Sequence, residues 1–145
     1  MRIAVIADTH DRLPSHVLTA IADADEIWHL GDVCDEPIEE LLVSCGVPLR
    51  IVRGNCDSNP NWPQTLDFEC EGFRVRLIHA PPRAAPDGVD LLFHGHTHVP
   101  RHEAIGTTRF YNPGCSTRPN RGAPASYAWL ELHRGTPPRW TIERV

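Results

Sequence analysis

Three short apolar runs, each closed by a polar turn, mark the first third of the chain. Ile3 to Ala7 ends at Asp8, Glu26 to Leu30 ends at Gly31-Asp32, and Leu49 to Val52 leads to Gly54-Asn55. Uninterrupted runs of this length suit strands buried on both faces. Two stretches with helical spacing separate them. Pro14 and Ser15 open the first, which continues to about Ala22 with Val17, Leu18 and Ile21 on one side; proline is tolerated in a first turn. The second, Glu36 to Ser44, carries Ile38, Leu41 and Leu42 as its stripe, with Gly46 placed to stop it. The order β-α-β-α-β predicts a parallel sheet with right-handed crossovers.

The pattern then changes. Leu66 to Cys70 and Phe73 to Ile78 flank Glu71-Gly72 and read as a hairpin. Leu91 to Phe93 is a short buried strand, and further strands are expected near Arg109 to Tyr111, Tyr127 to Leu132 and Trp140 to Glu143. Pro81, Pro82 and Pro86 make residues 80 to 88 an irregular loop. The second half is therefore mostly antiparallel or mixed. The expected architecture is α/β: two mixed sheets packed face to face with helices outside, in one domain spanning residues 1–145.

Composition narrows the classes of function. A chain of 145 residues buries about two-thirds of its unfolded surface and needs no disulfide staples. Its net charge of −5 argues against a stable nucleic-acid complex, because such partners call for a basic face. The five cysteines, at 34, 45, 56, 70 and 115, form no CxxC pair and are odd in number, so reduced thiols are expected. No apolar run approaches the ~20 residues of a membrane span. The N-terminus reaches Asp8 at once and reads as a strand, not a leader, which places the protein in the cytoplasm. A homo-oligomer is compatible with this composition.

The informative polar residues all follow strands. Asp8 and His10 follow the first, Asp32 the second and Asn55 the third; His79 ends Phe73 to Ile78, and His96 and His98 follow Leu91 to Phe93. Ligands of open α/β sheets bind at that edge. Carboxylates, imidazoles and an amide oxygen suit manganese, iron, zinc, cobalt or nickel. Each dipeptide alone is an ordinary turn or cap; the conjunction, in this order and at strand ends, points to a metal centre.

These motifs resemble the calcineurin-like metallophosphoesterases, and most closely their small single-domain bacterial and archaeal phosphodiesterases. The resemblance rests on Asp8-Thr9-His10, Gly31-Asp32, Gly54-Asn55-Cys56-Asp57, His79, Gly95-His96-Thr97-His98 and Asn112-Pro113-Gly114. It implies a four-layer αββα sandwich. It also implies two divalent ions, with Mn2+ expected first and Ni2+, Zn2+, Fe2+ or Co2+ as alternatives. One would be held by Asp8, His10 and His98, the other by Asn55, His79 and His96, with Asp32 bridging. The implied reaction is in-line hydrolysis of a phosphodiester or phosphomonoester by a metal-bridging hydroxide, with Asp32, Asn55 and His79 as its catalytic residues. Cyclic nucleotides, nucleotide monophosphates, phospholipid head groups and sugar phosphates all fit that chemistry. The family also includes a retromer subunit that has lost ligands and serves protein assembly. An inactive metal-binding scaffold is therefore the alternative, but all seven positions are present here.

The sequence departs from the family in two places. Larger relatives carry histidine where this chain has Cys56, a poor proton donor for an alkoxide, so phenolic leaving groups are expected to be favoured. Cys56 itself reads as a small semi-buried filler. After His79 the run Ala80-Pro81-Pro82 replaces the family's usual glycine. Supporting roles are expected for Asp57, orienting Asn55 or His10, and for His94, orienting a ligand. Asn112 and Gly114 read either as an anion-meeting loop or as a structural turn. Arg12, Arg83 and Arg118 are candidate phosphate contacts, and His29 is expected in or beside the core.

Overall fold

Alternation along each strand builds a sandwich. The computed structural model describes residues 1–34 and 36–145. In chain order the elements are β1 (Arg2–Ile6), α1 (Ser15–Ile21), β2 (Glu26–His29), α2 (Glu36–Val43), β3 (Leu49–Ile51), β4 (Thr65–Cys70) and β5 (Phe73–Ile78). They continue with β6 (Leu91–Phe93), β7 (Arg101–Ile105), β8 (Thr108–Asn112), β9 (Ser126–Glu131) and β10 (Arg139–Arg144). One five-stranded sheet runs β10-β9-β1-β2-β3 and the other β4-β5-β6-β8-β7. Both are mixed. Strands β1, β2 and β3 are mutually parallel, with β9 antiparallel to β1 and β10 antiparallel to β9. Strands β5, β6 and β8 are parallel, with β4 and β7 antiparallel on the two edges.

Successive side chains of a strand point to opposite faces, and the first sheet uses both. Ile3, Val5, Trp28, Leu30, Ala128 and Leu130 enter the layer between the sheets, where they meet Val75, Leu77, Leu91, Phe93 and Tyr111. Phe93 stacks on Tyr111 at 4.9 Å, and Trp28 meets Phe93 edge-on at 5.2 Å. Ala4, Ile6, Ile27, Ile51, Tyr127 and Trp129 face the other way, against Val17 and Ile21 of α1 and Ile38 and Leu42 of α2. Both helices therefore cover the first sheet. The outer face of the second sheet, Leu92 and Phe110, is covered by Val89 and Ala85 from the proline-rich segment that follows His79. That segment is irregular, as its three prolines dictate.

Strand β7 is the element that the hydrophobic pattern did not predict. Its sequence, RHEAI, is largely exposed and offers no apolar alternation. It forms because Gly106, at φ 60°, turns the chain back onto β8, giving a polar edge strand. Polar, charged edges of this kind discourage pairing with another chain.

Candidate metal centre

The parallel strands of both sheets end on the same side, and the seven residues expected from the sequence stand in the turns that follow. These turns are tight and strained. Positive φ values occur at Asp8 (53°), His10 (45°), Asp32 (55°), His96 (67°) and His98 (58°), and at the neighbouring Asp11 and Cys34. Non-glycine residues in this region carry a conformational cost and cluster at functional sites. The backbone holds them there. Asp8 N–H donates to Gly31 O and His10 N–H to Asp32 O, both at 3.0 Å, so the first turn is laid on the second. Gly95 N–H donates to His79 O at 3.0 Å within the other sheet. The sheets are joined where His96 N–H donates to the Asp8 carboxylate at 3.1 Å.

Glycine is needed where turns touch. A Cβ at Gly31, which also has φ +92°, would meet Gly54 N at 2.7 Å and His79 Nδ1 at 2.8 Å. A Cβ at Gly54 would sit on the backbone nitrogen and carboxylate of Asp32, and one at Gly95 would lie 2.8 Å from the Asp8 carboxylate. The acidic and imidazole groups converge in the space that these missing side chains leave.

The side chains form two groups. In one, His10 Nε2 and His98 Nε2 are 3.2 Å apart, and His98 Nε2 lies 3.5 Å from Asp8 Oδ1. In the other, Asn55 Oδ1 stands 3.0 Å from His79 Nε2 and 2.9 Å from His96 Nδ1. Asp32 lies between them: its Oδ2 is 3.7 Å from His10 Nε2 and 3.4 Å from His79 Nε2. The tautomers follow from what each ring faces. His79 Nδ1–H donates to Leu30 O at 2.8 Å and His98 Nδ1–H to Arg118 O at 2.6 Å. Carbonyls only accept, so in the neutral rings the Nε2 lone pairs point inward. Lone pairs of His79 and the Asn55 amide oxygen thus face each other at contact distance. Such a set of converging donors fits metal ions, with outer carbonyls orienting the imidazoles.

The electrostatics agree. Asp8 is fully buried, and burial pushes its carboxyl up to about 6, against the pull of His79 and His98. Burial also opposes ionisation of Asp32, but hydrogen bonds from His79 and the Cys56 N–H outweigh it and hold that carboxyl well below the usual range. For His79, burial favours the neutral ring, yet Asp32 and the Leu30 carbonyl raise its pKa. Buried carboxylates so arranged call for a compensating cation.

The surrounding residues differ in how they act. Asp57 grips backbone rather than the side chains of Asn55 or His10. Its carboxylate accepts from Gly54 N–H at 2.7 Å, Asp32 N–H at 2.9 Å and Cys34 N–H at 2.7 Å. Asp57→Ala leaves three backbone donors without this acceptor and is expected to cost about 2 kcal/mol or more in urea unfolding. An unchanged midpoint would show that water replaces the carboxylate. Asn112 ties down the histidine loop, its Nδ2 donating to Gly95 O at 2.9 Å and Thr97 Oγ1 at 3.0 Å. Gly114 N–H is already bonded to Asn112 Oδ1 at 2.8 Å, so this stretch is a structural turn and its amide is not free for an anion.

His29 is fully buried and its pKa is lowered by desolvation to about 3; it spans from Gly31 N–H to Thr9 Oγ1 as a core residue. His94 is buried with its pKa lowered by burial to about 4, and it meets Gly95 O, Asn112 and Arg101 rather than a ligand side chain. Cys56 is exposed, with its thiol 3.4 Å from Asn55 Nδ2. Arg12 and Arg83 are exposed. Arg118 contributes its carbonyl, through His98, where its side chain was the expected contact. Cys115 and Thr117 were not anticipated. Their side chains donate to Asp8 O at 3.0 Å and Thr9 O at 3.2 Å, bracing the first turn from below.

Two carboxylates, four imidazoles and the Asn55 amide thus converge at the parallel strand ends of a two-sheet sandwich, donors of the kind that hold metal ions. The chain belongs to the calcineurin-like phosphoesterase superfamily, whose domain it matches over residues 1–135. It is 35% identical over 143 residues to a probable metallophosphoesterase of Methanothermobacter thermautotrophicus, covering 86% of this chain and 83% of that protein. It is 30% identical over 164 residues to the phosphodiesterase YfcE of Escherichia coli K12, covering 90% and 88%. A solved structure of YfcE, described as a phosphoesterase, superposes with a TM-score of 0.80 at 29% identity over 90% of this chain and 88% of that one. Vps29 of Entamoeba histolytica complexed with Zn2+ shares the fold, with a TM-score of 0.80 at 20% identity over 99% and 98% of the two chains.

Proposed function

We propose that this chain is a phosphoesterase of small molecules that works with two divalent ions, Mn2+ foremost. The observation that carries this reading is the placement of Asp32, one of whose oxygens faces His10 on one side and His79 on the other. Asp8, His10 and His98 would hold one ion, Asn55, His79 and His96 the other, and Asp32 both. When bound, a pair of divalent ions supplies Lewis acidity towards the phosphoryl oxygens and an activated water for in-line attack.

The protein's part is positional. The outer carbonyls fix the rings of His79 and His98, and the Cys56 N–H fixes the Asp32 carboxylate at 2.8 Å. His96 forms a wall between two clefts. One, of about 330 Å³, is lined by Arg53, Gln64, Thr65 and His79; the other, of about 500 Å³, by His94, Arg101, Asn120 and Arg121. A phosphodiester seated at the centre would lay one ester group in each, with arginines beside both. The Cys56 thiol is a weak acid, and partial desolvation by the surrounding turns, with Asp32 beside it, raises its pKa further. Phenolic leaving groups, which need little protonation, are therefore favoured. We infer one domain over residues 1–145 and a reducing, cytoplasmic setting, which the five free cysteines suit. Among the described residues no helix is long and apolar enough to cross a membrane.

A panel of aryl phosphodiesters and phosphomonoesters, screened with Mn2+, Ni2+, Zn2+ and Mg2+, tests the activity. Hydrolysis that disappears on chelation is expected. Failure with every ester and every metal would leave the scaffold reading in its place. Binding is testable without turnover. An ion that binds only the folded state at a hundred times its Kd stabilises that state by about 2.7 kcal/mol per site. Mn2+ is therefore expected to raise the Tm of the stripped protein in a concentration-dependent way, and a Tm indifferent to Mn2+ would contradict the centre itself.

A further inference from the structure

Behind the ring of His10 lies a group of donors that the seven-residue centre does not use. His10 Nε2 faces His98, while its Nδ1 faces Cys34 Sγ at 3.5 Å. Cys56 completes the group: His10 Nδ1, Cys34 Sγ and Cys56 Sγ all lie within 4.8 Å of one another. We propose that Cys34, Cys56 and His10 Nδ1 form a third metal site, selective for a thiophilic ion of the zinc or cadmium class; with Nε2 on the neighbouring ion, His10 would serve as a bridging imidazolate, its Nδ1 proton and the two thiol protons being released to solvent.

Distance supports this assignment. A tetrahedral ion with Zn–S near 2.3 Å and Zn–N near 2.0 Å separates sulfur from nitrogen by about 3.5 Å, the spacing found between Cys34 and His10. Three protein donors with one position left to solvent is a recurrent zinc arrangement, and Cys56, being exposed, leaves that position open.

Rigidity supports it as well. Each cysteine is anchored by a carboxylate from the other's turn. Asp57 accepts from Cys34 N–H at 2.7 Å, and Asp32 accepts from Cys56 N–H at 2.8 Å. Cys34 is held at φ 71°, a left-handed conformation that a β-substituted residue adopts only under constraint. A hydrogen bond from His10 Nδ1–H accounts for Cys34 Sγ alone, and Asn55 Nδ2 at 3.4 Å accounts for Cys56 Sγ without drawing it towards His10. Ligation accounts for the convergence of both. Thiolates prefer zinc and its heavier congeners, while carboxylates and imidazoles also accept manganese. The two kinds of site thus sort metals by softness, with His10 as their shared wall. Thiolate ligation at this site has a spectroscopic signature of its own, separate from any phosphoester hydrolysis.

The test uses the reduced full chain, first saturated with Mn2+ and then titrated with Cd2+. An ultraviolet thiolate-to-cadmium charge-transfer band is expected to saturate at one equivalent. Cys34→Ser and Cys56→Ser are each expected to weaken that binding by more than about a hundredfold, beyond the cost of losing a merely supporting contact. Alkylation followed by mass spectrometry checks the unmutated protein: one equivalent of Cd2+ should slow modification of Cys34 and Cys56 but not of Cys45. Absence of the band overturns the proposal. So does its persistence in the Cys34→Ser/Cys56→Ser double variant, or a saturated band with Cys56 alkylated at the metal-free rate.

Discussion

Asp32→Ala is expected to lower phosphodiester turnover by at least ~10³-fold, about 4 kcal/mol of lost transition-state stabilisation. The size of the effect follows from position. Asp32 Oδ2 is 3.4 Å from His79 Nε2 and 3.7 Å from His10 Nε2, so one side chain faces both groups of donors and, on the proposed reading, would hold both ions. Removing Asp8 would strip one group of its carboxylate; removing Asp32 strips both. Metal content should fall with activity, from the two ions per chain of the proposed centre to one or fewer. Asp32→Asn separates charge from shape: it can still accept the Cys56 N–H now 2.8 Å from Oδ1, yet it lacks the charge that the two proposed cations would need between them. Both variants are to be compared by elemental analysis and aryl phosphodiester turnover. Wild-type metal content in Asp32→Ala would remove the bridging role, and loss of activity with two ions retained would make Asp32 a participant in chemistry rather than in binding.

Much of this cluster is legible in the sequence, for a physical reason. A buried strand must be apolar, so a polar residue that ends such a run marks a strand end. Asp8, Asp32, Asn55, His79, His96 and His98 could be placed in that way, and all stand together. Strand β7 escaped because an exposed edge strand needs no apolar pattern. The supports escaped for a different reason. Asp57 acts on backbone N–H groups at Asp32, Cys34 and Gly54, and a carboxylate bonded to backbone leaves no mark on the residue type it touches. Cys115 and Thr117 reach Asp8 and Thr9 across more than a hundred residues of sequence. Their contact depends on β9 returning beside β1, which no local pattern encodes. Cys34 likewise stands out only once its turn is laid against His10.

Gly54→Ala should be nearly as damaging as loss of a ligand, although it adds one methyl group. The glycine has no unusual φ, so alanine carries no conformational penalty there. The obstacle is contact. The new Cβ would overlap the backbone nitrogen and carboxylate of Asp32. Neither can retreat cheaply, because Asp57 binds both Asp32 N–H and Gly54 N–H with the same oxygen. The two turns must separate, moving Asp32 away from Asn55. A displacement of about 1 Å at a reacting centre costs on the order of 10²-fold in rate, and overpacking a fixed contact costs about 1–3 kcal/mol in stability. Gly46→Ala is the control. Gly46 has φ +73° with nothing within 4 Å of an added Cβ, so its variant should lose about 1 kcal/mol from backbone strain alone and keep its metals and turnover. If Gly54→Ala behaved like Gly46→Ala, the turns would be able to slide, and a centre prearranged by close backbone contact would be untenable. If Gly54→Ala instead lost rate while keeping both ions and its unfolding midpoint, the close approach of these two turns would be holding Asp32 in register for the reaction itself.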